Sequence, residues 1–269
     1  HKIGIRGESP INREFQKSNF SRFIRKALFI PMFKFCDFFF YIGSNNKDFY
    51  KHYSVPEEKL FFTPYCVDNK RFTKEYLSGI DNRTEIRKSM GYEEEDKVIL
   101  YSGKLIDKKR PLDLFQAFKY LETDCRLIFM GDGHLRGALE QQIEQINFND
   151  KVLITGFVNQ SEIWKYYLSA DVFVMCSDED ETWGLSTNEA MNFALPIVLY
   201  DSVGCSKNLV TENGYMVQKG DTKALAEAIN NVLENEVVRQ MMGQKSQQII
   251  SEYSYLKVIE GIKMATIQE

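Results

Sequence analysis

Read for the spacing of apolar and polar positions, the chain changes character near residue 97. Beyond it, short apolar runs alternate with stretches of helical period. Strands are predicted at 98–102, 127–130, 152–155, 172–176, 197–199 and 215–217. Helices are predicted at 111–121, 135–146 and 161–170, in a short segment carrying Glu189, and at 222–233. Pro111 suits a first helical turn, Asn159 and Glu162 have capping-box spacing, and Asp221 stands where a cap belongs. Strands alternating with helices of this length mean βαβ units on a parallel sheet. Two more helices, near 237–251 and 255–265, close the chain.

The front of the chain is sparser. Residues 1–9 read as a strand end running into a loop, 37–43 as a buried strand, and 60–63 as a short strand closed by Pro64. Between them lie a basic, apolar helix at 19–35 with Pro31 as a kink, and a short helix at 44–53 behind Ser44. About three strands are too few for a complete doubly wound domain. Residues 76–96 are polar, with a short helix at 83–90 stopped by Gly91. The reading is therefore α/β: a partial Rossmann-like domain at 1–75, a linker at 76–96, a complete parallel sheet flanked by helices at 97–250, and a terminal helix at 251–269. The chain opens on His1 and reads as beginning inside a domain.

Charge separates the same regions. Residues 1–75 hold 14 Lys and Arg against 8 Asp and Glu, and residues 76–269 hold 20 against 30. The front is thus about +6 and the remainder about −10, so the two have different partners. Nucleic acid is not one of them, since the basic residues show no groove-lining pattern with stacking aromatics. Five scattered cysteines without a CxxC spacing fit a reducing compartment. Three histidines argue against a zinc site, and no apolar run reaches membrane-spanning length.

Candidate chemistry gathers at predicted strand ends. Ser102-Gly103-Lys104-Leu105-Ile106-Asp107-Lys108-Lys109-Arg110 combines a glycine with several cations after the first strand of the large sheet. Cations in one strand-end loop suit a diphosphate, although a solvated basic loop has the same composition. Gly131-Asp132-Gly133-His134-Leu135-Arg136-Gly137 imitates a dinucleotide fingerprint. It follows the second strand rather than the first, and no ribose-binding acid ends the next one, so a tight turn beside a ligand fits better. Asp178-Glu179-Asp180 contains a D-x-D, a spacing common in solvated acidic loops. Glu181 and Glu189 lie eight apart. One falls in the loop after a buried strand and the other in the helix opened by Gly184-Leu185-Ser186. Open α/β sheets bind ligands at such strand ends, and a helix start offers free amides to an anion. The site reads as one for a ligand bearing phosphate and hydroxyls.

Taken in order, six motifs resemble one family. They are the 104–109 loop, Gly131 to Arg136, Gly156-Phe157-Val158, Ala170-Asp171-Val172-Phe173-Val174, the E-x7-E from Glu181 to Glu189, and Val203-Gly204 with Asn213-Gly214. Together they are similar to the donor-binding domain of family 4 retaining glycosyltransferases of the GT-B fold. The resemblance runs from about Asp37, through Val67-Asp68, to Tyr255. It implies two Rossmann-like domains, the first (acceptor side) shortened at its N-terminus, and a last helix that crosses back to it. It implies that Lys109 and Lys104 contact the donor diphosphate, with Gly103 beside them and amides at Gly184, Leu185 and Ser186 assisting. Glu181 would bind donor-sugar hydroxyls, Glu189 the ribose hydroxyls, and Gly156, Phe157 and Val158 would flank the base.

The implied activity is transfer of a hexose from a UDP- or GDP-sugar to a glycan or lipid-linked acceptor. The implied setting is cell-surface polysaccharide or lipopolysaccharide assembly, with no metal or other cofactor. The resemblance places the protein in the cytoplasm, peripheral on the inner membrane face if residues 20–35 rest on anionic lipid. Those residues also suit an ordinary helix packed on a sheet. A sugar-nucleotide-binding domain without catalysis, or an epimerase of the same fold, are the other readings; the E-x7-E argues against the epimerase. Lys104 stands where the family usually has arginine, and Tyr65-Cys66 where it often has Asn-Gly.

Overall fold

A computed structural model describes residues 2–267. Internal contacts group the chain into two units, His1–Val67 with Glu252–Glu269, and Asp68–Ser251.

The first unit contains β1 (Gly4–Arg6), α1 (Ile11–Phe15), α2 (Asn19–Lys34), β2 (Phe38–Tyr41), α3 (Ser44–His52) and β3 (Leu60–Phe62). The three strands form a parallel sheet in the order β1-β2-β3, with Gly4 opposite Phe38 and Phe39 opposite Leu60. Its core is aromatic: Phe33, Phe39, Phe49, Tyr50 and Tyr53 are buried together with Ile11 and Val55. Ring centroids lie 5.1 Å apart for Phe33 and Phe39 and 5.0 Å for Phe49 and Tyr53, both edge-on. That geometry suits the ring quadrupoles. The α2 helix is capped by the Ser18 hydroxyl, which accepts from the Ser21 amide, and it runs on through Pro31. The final helix, Tyr255–Ile267, returns to this unit. A side chain at Gly261 would lie 2.0 Å from the carbonyl oxygen of Phe62, so glycine is what lets the helix approach β3.

The second unit begins with α4 (Asn69–Gly79) and α5 (Arg83–Ser89). It continues with β4 (Lys97–Ser102), α6 (Pro111–Phe118), β5 (Cys125–Met130), α7 (Arg136–Gln145), β6 (Val152–Gly156), α8 (Ile163–Ser169), β7 (Val172–Met175), α9 (Leu185–Asn192), β8 (Ile197–Tyr200), α10 (Ser206–Leu209), β9 (Gly214–Val217), α11 (Thr222–Leu233) and α12 (Glu236–Ser251). All six strands are parallel, in the order β6-β5-β4-β7-β8-β9. Strand centres are fully buried, as at Ile99, Ile128, Phe173 and Val198, because helices cover both faces of a parallel sheet. The order reverses between β4 and β7. That is the topological switch point, where doubly wound sheets open a crevice at the carboxyl ends of the strands.

The stretch 76–96 is not the linker expected from its polarity. It carries the end of α4 and all of α5, packed within the second unit. Arg87 is 1% exposed. Its guanidinium donates to the carbonyls of Ser169 (2.9 Å), Glu94 (2.7 Å) and Asp96 (2.9 Å) and pairs with Asp171 at 2.6 Å. Arg83 donates to the Leu168 carbonyl at 2.9 Å and to Asp171 at 3.0 Å. Two polar residues thus satisfy the carbonyls that α8 leaves open at its C-terminus. Polarity here marks a buried bracket. Asp171 completes it by accepting from the Val98 amide at 2.8 Å, which ties β7 to β4.

Candidate functional site

The loops after β4 and β7 meet at the switch point. The first leaves β4 at Ser102 and turns back at Lys109 in a single 3-10 turn, Asp107–Lys109. The second leaves β7 at Met175 and reaches α9 through the acidic segment. The Asp178 amide donates to the Lys108 carbonyl at 2.8 Å, which fixes one loop against the other. Their side chains then meet: Lys109 Nζ is ion-paired with Glu181 Oε2, and both side chains are largely buried. Arg110 takes no part in this pair, since its Nε lies 2.7 Å from Asp113. Lys104 is exposed, and its carbonyl accepts from the Tyr101 hydroxyl at 2.9 Å. Gly103 donates its amide to the Met130 carbonyl at 3.0 Å. Of the two lysines proposed for the diphosphate, Lys109 alone is ion-paired to Glu181.

The motif at 131–136 proves to be a packing device. A side chain at Gly131 would lie 1.9 Å from the Gly103 carbonyl oxygen, and one at Gly133 2.3 Å from that of Leu105. The two glycines allow the loops after β4 and β5 to lie backbone to backbone, with the Leu105 amide donating to the Asp132 carbonyl at 2.9 Å.

The acidic loop is held from behind. Gly204 donates its amide to the Glu181 carbonyl and Cys205 to that of Trp183, each at 3.0 Å. The Trp183 indole, itself buried, donates to Asn188 at 2.9 Å. Asp178 accepts from the Asp180 amide at 2.8 Å, so the first carboxylate of the D-x-D closes its own turn. Glu179 is ion-paired with Lys219. Among the described residues no group of three or more His, Cys, Asp or Glu side chains could hold a metal.

At the end of this loop Gly184 adopts φ +100° and no side chain caps α9. The first amides of the helix, at Leu185 and Ser186, are therefore open to an anion. The Ser186 hydroxyl donates to the Ser102 carbonyl at 3.0 Å, pinning the helix start to the end of β4. One turn on, Glu189 Oε2 accepts from the Tyr167 hydroxyl at 2.6 Å. That hydroxyl also lies 3.1 Å from Ser102 Oγ. Burial pushes the Glu189 carboxyl above the usual range, and Tyr167, the Gln160 amide that faces it and the Arg71 charge oppose the shift. Burial, with Glu189 adding to it, also raises the Tyr167 phenol far above its ordinary value, so it remains a donor.

Gly156 ends β6 with φ +69°, and Phe157 beside it is 84% exposed. Val158 is half-buried. Arg136, paired with Glu140 at 2.7 Å, borders the same turn. Sequence reasoning missed Tyr167, Gln160 and Arg71, which carry no motif spacing relative to Glu189. The one available signal was Val67-Asp68: Asp68 caps α4 and accepts from the Arg71 amide at 3.0 Å.

A doubly wound sheet with a lysine, a helix start and two carboxylates at its switch point has the crevice in which open α/β proteins bind their ligands. The chain belongs to the family glycosyl transferases group 1, whose model matches residues 82–249. It is 26% identical over 77% of its length to the N-acetyl-alpha-D-glucosaminyl L-malate synthase of Bacillus anthracis, covering 50% of that protein. It is 27% identical over 71% of its length to the D-inositol 3-phosphate glycosyltransferase of Xylanimonas cellulosilytica, covering 46% of it. The chain thus spans about half the length of these relatives.

Among solved structures, Anabaena Alr3699/HepE in complex with UDP superposes with a TM-score of 0.79 at 17% identity, over 99% of this chain and 72% of that one. WaaG, a glycosyltransferase involved in lipopolysaccharide biosynthesis, superposes at 0.70 and 17% identity, over 98% and 74%. These likenesses show the fold, the α/β architecture of the GT-B transferases.

Proposed function

We propose that this chain supplies the nucleotide-sugar side of a retaining hexosyltransferase acting in cell-surface polysaccharide or lipopolysaccharide assembly. The observation that carries the reading is the Lys109–Glu181 pair beside the uncapped start of α9. Lys109, with Lys104 at the mouth of the same loop, and the amides of Leu185 and Ser186 take the charge of the donor diphosphate. Glu181 turns from Lys109 to the donor-sugar hydroxyls when the donor enters, and Glu189 takes the ribose hydroxyls. Gly156, Phe157 and Val158 border the base. Support comes from relatives named as glycosyltransferases and from the HepE structures, which hold UDP, UDP with glucose, or UDP-glucose.

In the reaction, the bond between the anomeric carbon and the diphosphate oxygen breaks, and its electron pair leaves with the nucleotide. The acceptor oxygen bonds to the same face of that carbon, and its proton passes to the departing phosphate. Cation and amides stabilise the charge developing on that phosphate, the kind of preorganised electrostatics that dominates many enzymes. Carboxylates that fix the sugar contribute by orientation. No metal is needed in this scheme, so EDTA is expected to leave turnover unchanged.

Glycosyl transfer from UDP- and GDP-sugars by the complete protein tests the reading, with Glu181→Gln and Lys109→Ala beside it. Loss of transfer in both variants supports it. Undiminished transfer in both removes these residues from the site. Nucleotide binding without transfer by the complete protein favours a binding module instead.

The α2 helix adds a setting. Phe20, Phe23 and Phe35 are 74%, 72% and 78% exposed, Ile24, Leu28 and Met32 lie exposed along the same helix, and Lys26 and Lys34 flank them. Aromatic and aliphatic side chains bordered by cations suit the surface of an anionic bilayer, where a lipid-linked acceptor would lie. This reading puts the protein on the inner face of the membrane. Sedimentation with phosphatidylglycerol vesicles tests it, and Phe20→Asp with Phe23→Asp should abolish co-sedimentation.

A further inference from the structure

A chain of polar side chains runs behind Glu189, separate from the Lys109–Glu181 pair. Arg71, on α4, donates from Nη2 to Gln160 Oε1 at 3.0 Å. The Gln160 amide faces the Glu189 carboxylate from the loop before α8. The Tyr167 hydroxyl, on α8, donates to Glu189 Oε2 at 2.6 Å and sits 3.1 Å from Ser102 Oγ at the end of β4. The 160–167 stretch thus faces this carboxyl group and is itself bonded to α4 and to the end of β4.

Simple packing does not account for that arrangement. The Tyr167 ring is fully buried and stacked on Phe193, centroids 5.5 Å apart and planes 16° off parallel, so the apolar part of the side chain is already accommodated. Its hydroxyl nevertheless donates to Oε2 of Glu189, which fixes the orientation of the carboxylate. A carboxylate that must accept from two adjacent hydroxyls has to be held in one rotamer, and neutral donors can hold it without cancelling its charge. An arginine bonded directly to it would compete with the ligand. Here the Arg71 guanidinium is bonded to Gln160 Oε1 instead, and acts on the carboxylate from a distance.

We propose that Tyr167 and Gln160, the latter tied to Arg71, are positioning residues that orient the Glu189 carboxylate toward the ribose 2′- and 3′-hydroxyls of the donor nucleotide. This rests on the reading of Glu189 as the ribose ligand. Tyr167 is the stronger of the two, because its hydroxyl is anchored at both Ser102 and Glu189, whereas Gln160 lies on an exposed loop.

Calorimetry of the 269-residue chain with UDP and with 2′,3′-dideoxy-UDP separates the possibilities, with GDP and ADP and their dideoxy forms used if UDP does not bind. The unaltered chain should prefer the ribonucleotide by about tenfold or more, which is the cost of leaving a site's polar groups unpaired. Tyr167→Phe keeps the ring and should collapse that preference, weakening UDP about tenfold while leaving the dideoxy form unchanged. Gln160→Ala should do the same to a smaller degree. A merely structural role would weaken both ligands together and leave the ratio intact. The positioning role is overturned if Glu189→Ala abolishes the preference while Tyr167→Phe and Gln160→Ala retain it. The ribose assignment itself fails if the unaltered chain does not discriminate, if Glu189→Ala does not alter the ratio, or if none of the three nucleotides binds.

Discussion

The two ends of the six-stranded sheet use the same chemistry for opposite purposes. At the amino end, Asp171 is held by partners from several elements: Arg87 and Arg83 pair with it, and the Val98 amide donates to it. The arginines spend their remaining donors on the carbonyls of α8 and of the loop before β4. At the carboxyl end, Lys109 and Glu181 hold each other at the mouth of a crevice, beside amides that no side chain caps. The bonds of the two arginines at the first end are made to partners within the chain, which makes it a brace. The second end keeps donors and acceptors that a ligand can take over, which makes it a site. Both ends use ion pairs; the difference lies in whether the partners are exchangeable.

The sharpest way to break that contrast is at the brace. Arg87→Ala leaves Asp171 and several carbonyls without their partner, and removal of one member of a buried pair costs about 3–5 kcal/mol. Chemical denaturation should register that loss, whereas Lys109→Ala should lower the denaturation midpoint less, because Glu181 is left part-exposed at the mouth of the crevice. Conversely, Lys109→Ala should weaken UDP binding. A charge-assisted hydrogen bond is worth about 1.5–3 kcal/mol, or roughly 10- to 100-fold in Kd by calorimetry. Equal effects of the two variants on stability would erase the distinction between brace and site.

Gly204 lies between these extremes. A side chain there would meet the Thr182 carbonyl oxygen at 2.0 Å, so Gly204→Ala must push back the loop that presents Glu181. Overpacking of this kind costs about 1–3 kcal/mol. Thermal unfolding should show that loss, and nucleotide affinity should fall with it because the displaced segment is the one that bears the carboxylate.

The smallest effect is set by pH. Burial raises the Glu189 pKa in the folded chain above its unfolded value. At a pH between the two values the folded state therefore holds a proton that the unfolded state has released. The resulting cost is absent below the unfolded pKa, grows as pH rises through the window between the two values, and is complete above the folded pKa. Glu189→Gln removes the titration while keeping an acceptor for Tyr167. The variant should unfold at a higher temperature than the parent near pH 7, by an amount that shrinks toward about pH 4, where an ordinary glutamate begins to protonate. A difference that grew toward acid would reverse the assigned direction.

Most of the large sheet was readable in advance because buried parallel strands are continuous apolar runs. The expected 98–102 and 197–199 become Lys97–Ser102 and Ile197–Tyr200. Asp221 caps α11 as its position suggested, accepting from the Ala224 amide at 2.9 Å. The Asn159 capping box does not form: Asn159 instead accepts from the Ser161 amide at 3.2 Å, and α8 starts at Ile163. The helix α4 went unseen because Asn69 to Gly79 is mostly polar and follows Pro64, and residues 76–96 were assigned to a linker for the same reason. Composition registers Arg87 as a surface charge. Only the folded chain brings the open carbonyls of α8 to it.

The sequence by itself determined the alternation of strands and helices, the parallel sheet, and the short list of cations, glycines and carboxylates at strand ends. Those features depend on periodicity and spacing, which are local. The tertiary structure alone decided which listed residues act together. Lys109 meets Glu181, 72 positions away, because β4 and β7 are neighbours at the point where strand order reverses. Tyr167 reaches Glu189 because α8 and α9 pack against those same two strands. A hydrogen bond is selected by where the backbone puts its two ends, and spacing along the chain carries no record of that.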